Sequence, residues 1–306
     1  MMPNPSEILL REDPAQPGVY EFQKPKRSLR IHLILFLLTL ATTFAAGAIQ
    51  QGINIFKEPH RIMEGAPFAL TLLFILGTHE FGHYLTGRAR GVDVSLPYFI
   101  PAPTFLGTFG AFIKMRSPVT NKGDLLDVGA AGPIAGALIA IPMYVMGLKL
   151  SQVVPLETVP TEGIRLGPSL MSKGLEWLTL GSMAKGADLI LHPIAFAAWI
   201  GFFVTCLNLL PMGQLDGGHI SYAIFGKKHR QISKGMILIL VTLGLFTWQG
   251  WLMWGFLALL LGIGHPPPLN PQTPLTRRQR LTGWISIVLF ILTFIPNPFQ
   301  VMVGKP

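Results

Sequence analysis

The chain has 306 residues, of which 50% are hydrophobic and only 13% are charged, and its formal net charge at pH 7 is +9. Soluble domains carry about 25% charged residues, so the composition excludes a soluble globular protein and predicts an integral membrane protein. The basic residues flank apolar runs and do not form one patch, which argues for a lipid bilayer and against a nucleic-acid partner. Cys206 is the only cysteine, which excludes an intrachain disulfide.

The N-terminal segment is polar and rich in proline, and basic residues lie near its end. We predict a loosely ordered tail at residues 1–30 that lies in the cytoplasm, because basic residues mark the cytoplasmic side of a membrane protein. The apolar run at residues 31–48 predicts the first transmembrane helix, which runs outward and is not a cleavable signal peptide.

The apolar run at residues 66–85 contains a His-Glu-x-x-His motif formed by His79, Glu80 and His83. On a helix, positions i and i+4 share one face about one turn apart, so the two histidines can bind one zinc ion with the glutamate beside it. Polar side chains inside a membrane helix generally mark a functional site, which favours this interpretation. The alternative is that the histidines form interior hydrogen bonds and Glu80 pairs with an arginine that follows the run, but it leaves the motif spacing to chance.

The helical pattern breaks at residues 92–116, where prolines and alternating small and large side chains indicate short strands. Irregular backbone of this kind cannot face lipid, so we predict a small re-entrant β hairpin buried beside the metal. Residues 128–148 predict the next span, and the small side chains at its start allow close helix packing. The insert at residues 149–191 contains an amphipathic stretch at residues 170–180, which predicts an extracytoplasmic cap on the membrane surface.

A span at residues 192–210 leads into a Leu-Asp-Gly-Gly sequence that contains Asp216. A catalytic zinc needs a third protein ligand, and Asp216 is the best candidate because it follows the inner end of a span and two glycines let the backbone turn sharply after it. The alternatives are His219 as the third ligand and Asp216 as the N-terminal cap of a following helix. Three other aspartates are weaker candidates because they lie in polar or basic surroundings: Asp93, Asp124 and Asp127.

Residues 237–263 fit either one long tilted helix or a hairpin of two short helices. We favour the hairpin, because it keeps the later arginines in the cytoplasm and places Trp248, Trp251 and Trp254 at the outer interface. A proline-rich cytoplasmic loop at residues 265–280 then precedes the last apolar run.

The apolar runs together predict an all-α polytopic membrane protein with about seven transmembrane helices and a small re-entrant β hairpin near the active site. The catalytic core would occupy residues 31–226, and the C-terminal transmembrane helices would occupy residues 227–306.

These side chains permit hydrolysis of a peptide bond. A catalytic zinc with three protein ligands keeps one position for a water molecule, whose pKa it lowers to about neutral. Glu80 would take a proton from the water that attacks the peptide carbonyl, and would later pass it to the leaving amine. Asn208 can donate a hydrogen bond to the oxyanion or the substrate, although a purely interhelical hydrogen bond explains it equally well. A strand edge around Gly110 can pair with an extended substrate.

The motifs share their order and membrane setting with a known family. His-Glu-x-x-His at residues 79–83, followed by Asn-Leu-Leu-Pro at 208–211 and Leu-Asp-Gly-Gly at 215–218, resembles the site-2 protease family of intramembrane zinc metalloproteases. The Gly-Pro pair at residues 132–133 is similar to an element of the family's third core helix, where a structural role is implied. The resemblance covers residues 72–226.

The resemblance implies a role for each matching residue. His79, His83 and Asp216 would bind one zinc ion per chain, Glu80 would be the catalytic base, and Asn208 would lie near the substrate or the oxyanion.

The resemblance is closest to the bacterial and chloroplast branch that lacks a PDZ domain, because residues 149–191 are too few for such a domain and lack repeated strand signals. It implies that the substrates are single-pass membrane proteins cut within or near the membrane. The resemblance to a bacterial branch also implies a bacterial inner membrane. The basic residues at the ends of the apolar runs predict a multi-pass protein with the N-terminus in the cytoplasm and the active site toward the cytoplasmic side. The sequence does not define the oligomeric state.

Two other functions could use the same residues. A transporter could carry a metal on His79, His83 and Asp216, but it would need polar residues along a whole path, and the apolar runs carry one cluster. A binding scaffold could retain the zinc without activity, but Glu80 is in place and nothing in the sequence indicates lost catalysis.

Overall fold

The computed structural model describes residues 10–12, 20–22, 29–158, 163–184 and 186–302. In these residues the chain is mostly helical, as predicted, and its α-helices are α1 (Leu29–Gln50), α2 (Ala66–Ala89), α3 (Lys122–Leu150), α4 (Leu170–Leu180), α5 (Pro193–Asn208), α6 (Asp216–Phe225), α7 (His229–Phe246), α8 (Gly250–Leu261) and α9 (Arg277–Thr293). The strands are β1 (Leu10–Glu12), β2 (Tyr20–Phe22), β3 (Tyr98–Pro101), β4 (Thr108–Phe112), β5 (Gln152–Pro155), β6 (Gly163–Leu166), β7 (Ala187–Ile190) and β8 (Phe299–Met302). They form two-stranded antiparallel sheets that pair β1 with β2, β3 with β4, β5 with β7, and β6 with β8.

Three helical segments in the described part of the chain are long and apolar enough to cross a membrane: α1, Pro59–Ala89 and α3. The second begins as a 3₁₀-helix at Pro59–Gly65 and continues as α2. A perpendicular span takes about 20 residues, and the apolar helices α5 and α8 are shorter than that, with 16 and 12 residues. The count of seven transmembrane helices therefore stays a prediction.

Helix α3 lies at the centre of the bundle, where it packs against α2, α4, α5, α6 and α9. Its first turn is fixed by Asn121, whose side chain accepts a hydrogen bond from the Asp124 backbone amide at 2.9 Å. Helix α2 approaches α3 closely at Gly82, because a Cβ atom there would lie only 2.6 Å from the Ala131 carbonyl oxygen. The two longest helices are thus held together by backbone contact.

The strands β3 and β4 form the predicted hairpin, with Phe99 opposite Ala111. Helix α1 supports it, because the Thr42 hydroxyl donates a hydrogen bond of 2.6 Å to the Gly107 carbonyl in the hairpin turn. Gly107 has a φ of 75°, and a Cβ atom there would also overlap the backbone of α1. The hairpin is therefore fixed against α1 on one side, and β4 contacts α2 on the other.

The segment between α7 and α8 is the predicted hairpin, since helix α7 ends at Phe246 and α8 packs back against it. Trp251 does not contact lipid head groups as an exposed anchor would, because its side chain is fully buried, and its depth at the outer interface stays a prediction. Its indole Nε1 donates a hydrogen bond of 2.8 Å to the Pro296 carbonyl, and its ring stacks on Phe294. Trp251 is a core residue that connects α8 to the segment after α9.

The insert at residues 149–191 contains β5, β6 and β7 besides the expected amphipathic helix α4. The sequence of the insert shows no repeated strand signals because each strand has only four residues, which is too short for a clear alternation of side chains. The absence of a PDZ domain stays a prediction. Strand β6 pairs with β8 near the C-terminus, so the insert is joined to the end of the chain.

The tail predicted at residues 1–30 lies largely outside the described residues. Its described parts are the paired strands β1 and β2 and the first residues of α1.

Candidate metal centre

The two histidines of the motif lie on one face of α2, as their spacing predicts. His79 and His83 are buried, and their Nε2 atoms are 3.1 Å apart. Glu80 is also buried, with 5% of its surface exposed, and it lines the same cavity as the two histidines.

Asp216 reaches the histidines from the start of α6. Its Oδ2 atom lies 3.3 Å from Nε2 of His79 and 3.2 Å from Nε2 of His83. The alternative role as a helix cap was wrong, because Leu215 occupies the N-cap position of α6 and Asp216 is the first helical residue. The structure thus brings together the three residues that the sequence predicts.

The sequence predicts a sharp backbone turn at the two glycines after Asp216, and the structure does not have the turn there. Gly217 and Gly218 are helical, and the sharp turn occurs earlier, at Gly213, which has a φ of 55°. A Cβ atom on Gly217 would overlap the carbonyl of Leu209, and one on Gly218 would lie 2.8 Å from the Met212 carbonyl oxygen. The two glycines therefore let the loop between α5 and α6 lie against the first turn of α6.

His83 is oriented by helix α3. Its Nδ1 atom lies 2.7 Å from the Val128 carbonyl oxygen, which can only accept, so Nδ1 carries the proton and donates. The Nε2 lone pair consequently faces His79 and Asp216. Pro133, one of two prolines inside α3, has no amide hydrogen for the carbonyl of Gly129, which weakens the helical hydrogen bonding in this same turn.

Glycines on α3 make room for the histidine rings. A Cβ atom on Gly132 would overlap the ring of His83, and one on Gly136 would lie 3.2 Å from Cβ of His79. Sequence reasoning assigned these glycines to general helix packing and missed their contact with the site. Gly132 of the Gly-Pro pair and Gly136 therefore let the two imidazole rings lie close to the α3 backbone.

The three donor atoms fit a single metal ion. Zinc binds nitrogen and oxygen at about 2.0–2.2 Å, and tetrahedral geometry then places neighbouring ligand atoms about 3.3 Å apart. The observed separations of 3.1, 3.2 and 3.3 Å match one face of such a tetrahedron. Two imidazoles and a carboxylate are also a donor set that zinc accepts.

The cavity beside this group has a volume of about 220 Å³. Asn208, the last residue of α5, lies at its edge, with Nδ2 at 3.2 Å from Nε2 of His79. Ala111 and Phe112 of β4 line another side, so the predicted hairpin borders the site. Helix α2, helix α5 and strand β4 therefore each contribute residues to the cavity wall.

The arginines near the motif are engaged elsewhere. Arg90 forms ion pairs with Asp124 and Asp127, and Arg88 donates a hydrogen bond to the Tyr84 hydroxyl at 2.9 Å. The alternative in which Glu80 pairs with an arginine after the motif is therefore wrong.

His219, the alternative third ligand, is not part of the group that could hold a metal ion. It lines the cavity, and its Nδ1 lies 2.6 Å from Nε2 of His265. Sequence reasoning missed His265, whose only signal was a histidine at the start of the proline-rich loop.

A model of the family described as Peptidase family M50 matches residues 67–248, which is more than half of the chain. The matched region contains the two histidines of the motif and Asp216. No solved structure matches the chain significantly.

Curated relatives agree with the family match. The protein named "Probable zinc metalloprotease EGY1, chloroplastic" from Arabidopsis thaliana is 33% identical over 318 residues, covering 94% of this chain and 56% of the relative. "Probable zinc metalloprotease EGY2, chloroplastic" from the same plant is 30% identical over 275 residues, covering 86% of this chain and 48% of the relative. "Probable zinc metalloprotease EGY2, chloroplastic" from Oryza sativa subsp. japonica is 31% identical over 257 residues, covering 81% of this chain and 45% of the relative.

The chain spans about half the length of these curated relatives. Their names place them in the chloroplast, which does not fit the bacterial inner membrane expected from the sequence. The family match covers the region on which the resemblance to the site-2 proteases was based. This chain belongs to peptidase family M50.

Proposed function

We propose that the chain is a zinc-dependent endopeptidase that hydrolyses peptide bonds in or near the transmembrane segments of membrane proteins. The observation that carries this proposal is the meeting of His79, His83 and Asp216 within 3.3 Å of one another, with Glu80 lining the same cavity. The family membership and the relatives named zinc metalloproteases support it.

The proposed reaction depends on proton transfer through the Glu80 carboxylate. Zinc bound by the three ligands would polarise the substrate carbonyl and lower the pKa of a water molecule. The Glu80 carboxylate accepts the proton from the attacking water and later donates it to the leaving amine nitrogen. Burial of Glu80 among the cavity walls keeps bulk water away from this transfer.

Asn208 is proposed to bind the carbonyl of the scissile bond. Its side-chain amide lies next to the metal group, and Nδ2 is a donor that can stabilise the negative charge that develops on the carbonyl oxygen. The same Nδ2 is within hydrogen-bond distance of Nε2 of His79, which joins α5 to α2. A metal bound at that nitrogen would use its lone pair, and Nδ2 would then be free to donate to the substrate.

Strand β4 is proposed to bind the substrate in an extended form. A helix must unwind before its peptide bond can be attacked, because its backbone groups are bonded to one another, and β4 offers a strand edge beside the cavity. A Cβ atom on Gly110 would meet nothing within 4 Å, so this part of the hairpin is open. Single-pass membrane proteins fit such a site, since their one transmembrane helix can unwind without disrupting a packed bundle.

The proposed placement is a multi-pass protein of about seven spans, with the metal group toward the side that carries the basic loops. Arg88 and Arg90 follow the motif directly and support this orientation. The chloroplast names of the relatives leave the bacterial inner membrane supported only by the resemblance that suggested it.

Transport of a metal draws no comparable support. In the described residues, the three metal-ligating side chains form one cluster on one cavity, and no second cluster continues a path across the bundle.

The test is cleavage of a panel of single-pass reporter proteins co-expressed with the wild type or with Glu80→Gln at matched levels. We expect cleavage by the wild type and a loss of at least about 1,000-fold in the variant, because the proton acceptor is removed. The control is Glu157→Gln, an exposed residue of the insert, which should cleave like the wild type. Equal cleavage by Glu80→Gln, or no cleavage of any reporter by the wild type, would contradict the proposal.

A further inference from the structure

His219 is a cavity residue for which the proposed reaction has no role so far. It is 8% exposed, it lines the cavity, and Gly129 makes room for it, because a Cβ atom there would lie 2.9 Å from Cβ of His219. Its Nδ1 atom lies 2.6 Å from Nε2 of His265, and its Nε2 atom has no hydrogen-bond partner in the described part of the chain.

The hydrogen bonds of His265 determine which nitrogen of each ring carries a proton. Nδ1 of His265 lies 2.6 Å from the Pro266 carbonyl oxygen, which can only accept, so this nitrogen donates. Burial lowers the pKa of His265, so its ring is neutral near pH 7 and Nε2 carries a lone pair. Nδ1 of His219 must then be the donor in the bond between the two rings. A neutral His219 therefore presents a lone pair at Nε2.

His265 is itself held firmly in place. Its ring stacks on Tyr222 of α6, with the ring centres 4.8 Å apart. The following loop pairs with the segment before α3, where the Leu269 amide donates to the Val119 carbonyl at 3.1 Å and the Asn270 amide donates to the Thr120 carbonyl at 2.7 Å. The loop after α8 thus fixes the orientation of a ring that lines the cavity.

We propose that Nε2 of His219 accepts a hydrogen bond from a backbone N–H of the peptide substrate, and that His265 is a positioning residue that keeps this nitrogen free to accept. The inference rests on the proposed peptidase function. Asn208 offers a donor and His219 an acceptor on the same cavity, and this pair complements the C=O and N–H groups of an extended peptide. Recognition of this kind requires an unwound backbone, because helical N–H groups are already bonded.

The test replaces single peptide bonds of a cleaved reporter by esters, which removes one backbone N–H at a time. Binding of each zinc-loaded protein to the amide and ester peptides is measured in the Glu80→Gln background, where no cleavage occurs. We expect one ester position to bind about 10-fold more weakly than the amide when His219 is present. His219→Asn, which keeps a donor for His265 but has no group at the place of Nε2, should bind the amide and the ester equally.

His265 is tested by rescue. His265→Ala should lose part of the discrimination between amide and ester, and His265→Gln, whose side-chain oxygen can accept from Nδ1 of His219, should restore it. The control His60→Asn changes an exposed histidine away from the cavity and should discriminate like the parent protein.

The outcomes separate the two proposals. If the wild type cleaves reporters but His219→Asn still discriminates against the ester, or if no ester weakens binding to the parent protein, this inference is wrong and the peptidase proposal stands. A fall in zinc content in His219→Asn would make His219 a metal ligand and would also overturn it. If the wild type cleaves no reporter, the peptidase proposal fails and this inference fails with it.

Discussion

Single residues around the metal group differ in how readily the sequence predicts them. The spacing of His79 and His83 on one helix is a local property, so the sequence predicts their common face directly. The sequence also predicts Asp216 as the third ligand, because this aspartate follows the end of an apolar span. The contact of Gly132 with the His83 ring and the bond between His219 and His265 depend on how distant segments pack, and no local pattern predicts them.

Gly132→Ala should lower the zinc affinity on the order of 10–100-fold, because the new methyl group would displace the ring of His83. Zinc per chain is measured on protein purified in detergent micelles at a series of free zinc concentrations. The matched control is Gly174→Ala on α4, where a Cβ atom meets nothing within 4 Å. An unchanged zinc affinity in Gly132→Ala would show that the ring does not need this space.

Asp216→Ala should lower the zinc content of the purified protein, because two imidazoles remain where three ligands were present. The control Asp188→Ala removes an aspartate of the insert that pairs with Arg165, outside the metal group, and should keep the zinc. Full zinc retention in Asp216→Ala would contradict the ligand assignment.

At the scale of the elements, hydrophobicity indicates where apolar runs lie, but the helices extend beyond them. Residues 128–148 were the predicted span, whereas α3 runs from Lys122 to Leu150 because Asn121 caps it outside the apolar run. The short strands of the insert escaped prediction for the opposite reason, since four residues carry too little pattern. The hairpin of β3 and β4 was predictable because prolines and glycines interrupt an otherwise helical sequence.

Gly82→Ala should destabilise the protein by about 1–3 kcal/mol, because its Cβ atom would lie 2.6 Å from the Ala131 carbonyl oxygen and would force α2 and α3 apart. Gly77→Ala on the same helix is the control, since its Cβ atom would make an ordinary contact of 3.8 Å with the ring of Phe99. The midpoint temperatures of thermal unfolding of the two variants are compared in detergent micelles. Equal midpoint temperatures would mean that α2 and α3 accommodate the added methyl group without loss of stability.

For the whole molecule, composition was sufficient to predict a membrane protein with mostly helical structure. The pairing of β6 with β8 was not predictable, because it joins the insert to a distant segment near the C-terminus. The loop after α8 pairs with residues just before α3, whereas the insert follows the other end of α3. These contacts place the loop and the insert at opposite ends of the central helix.

Single cysteines that replace Lys227 and Gln272 should therefore lie on the same side of the membrane, and a cysteine that replaces Glu157 in the insert should lie on the other side. The reason is that α7 and α8 form a hairpin that returns the chain to the side it left. Labelling of single introduced cysteines by a membrane-impermeant reagent measures this, in a background where Cys206, which is buried, is replaced by alanine. Gln272 on the same side as Glu157 would exclude the hairpin arrangement in the membrane.

The distance along the chain between α2 and α6 has a consequence for biosynthesis. The two histidines are synthesised and inserted well before Asp216 leaves the ribosome, since α3, the insert and α5 come between them. During that interval the growing chain offers only two of the three ligands. The centre can therefore be completed only after α6 has been synthesised, and a nascent chain that stops before α6 carries the motif without a complete metal site.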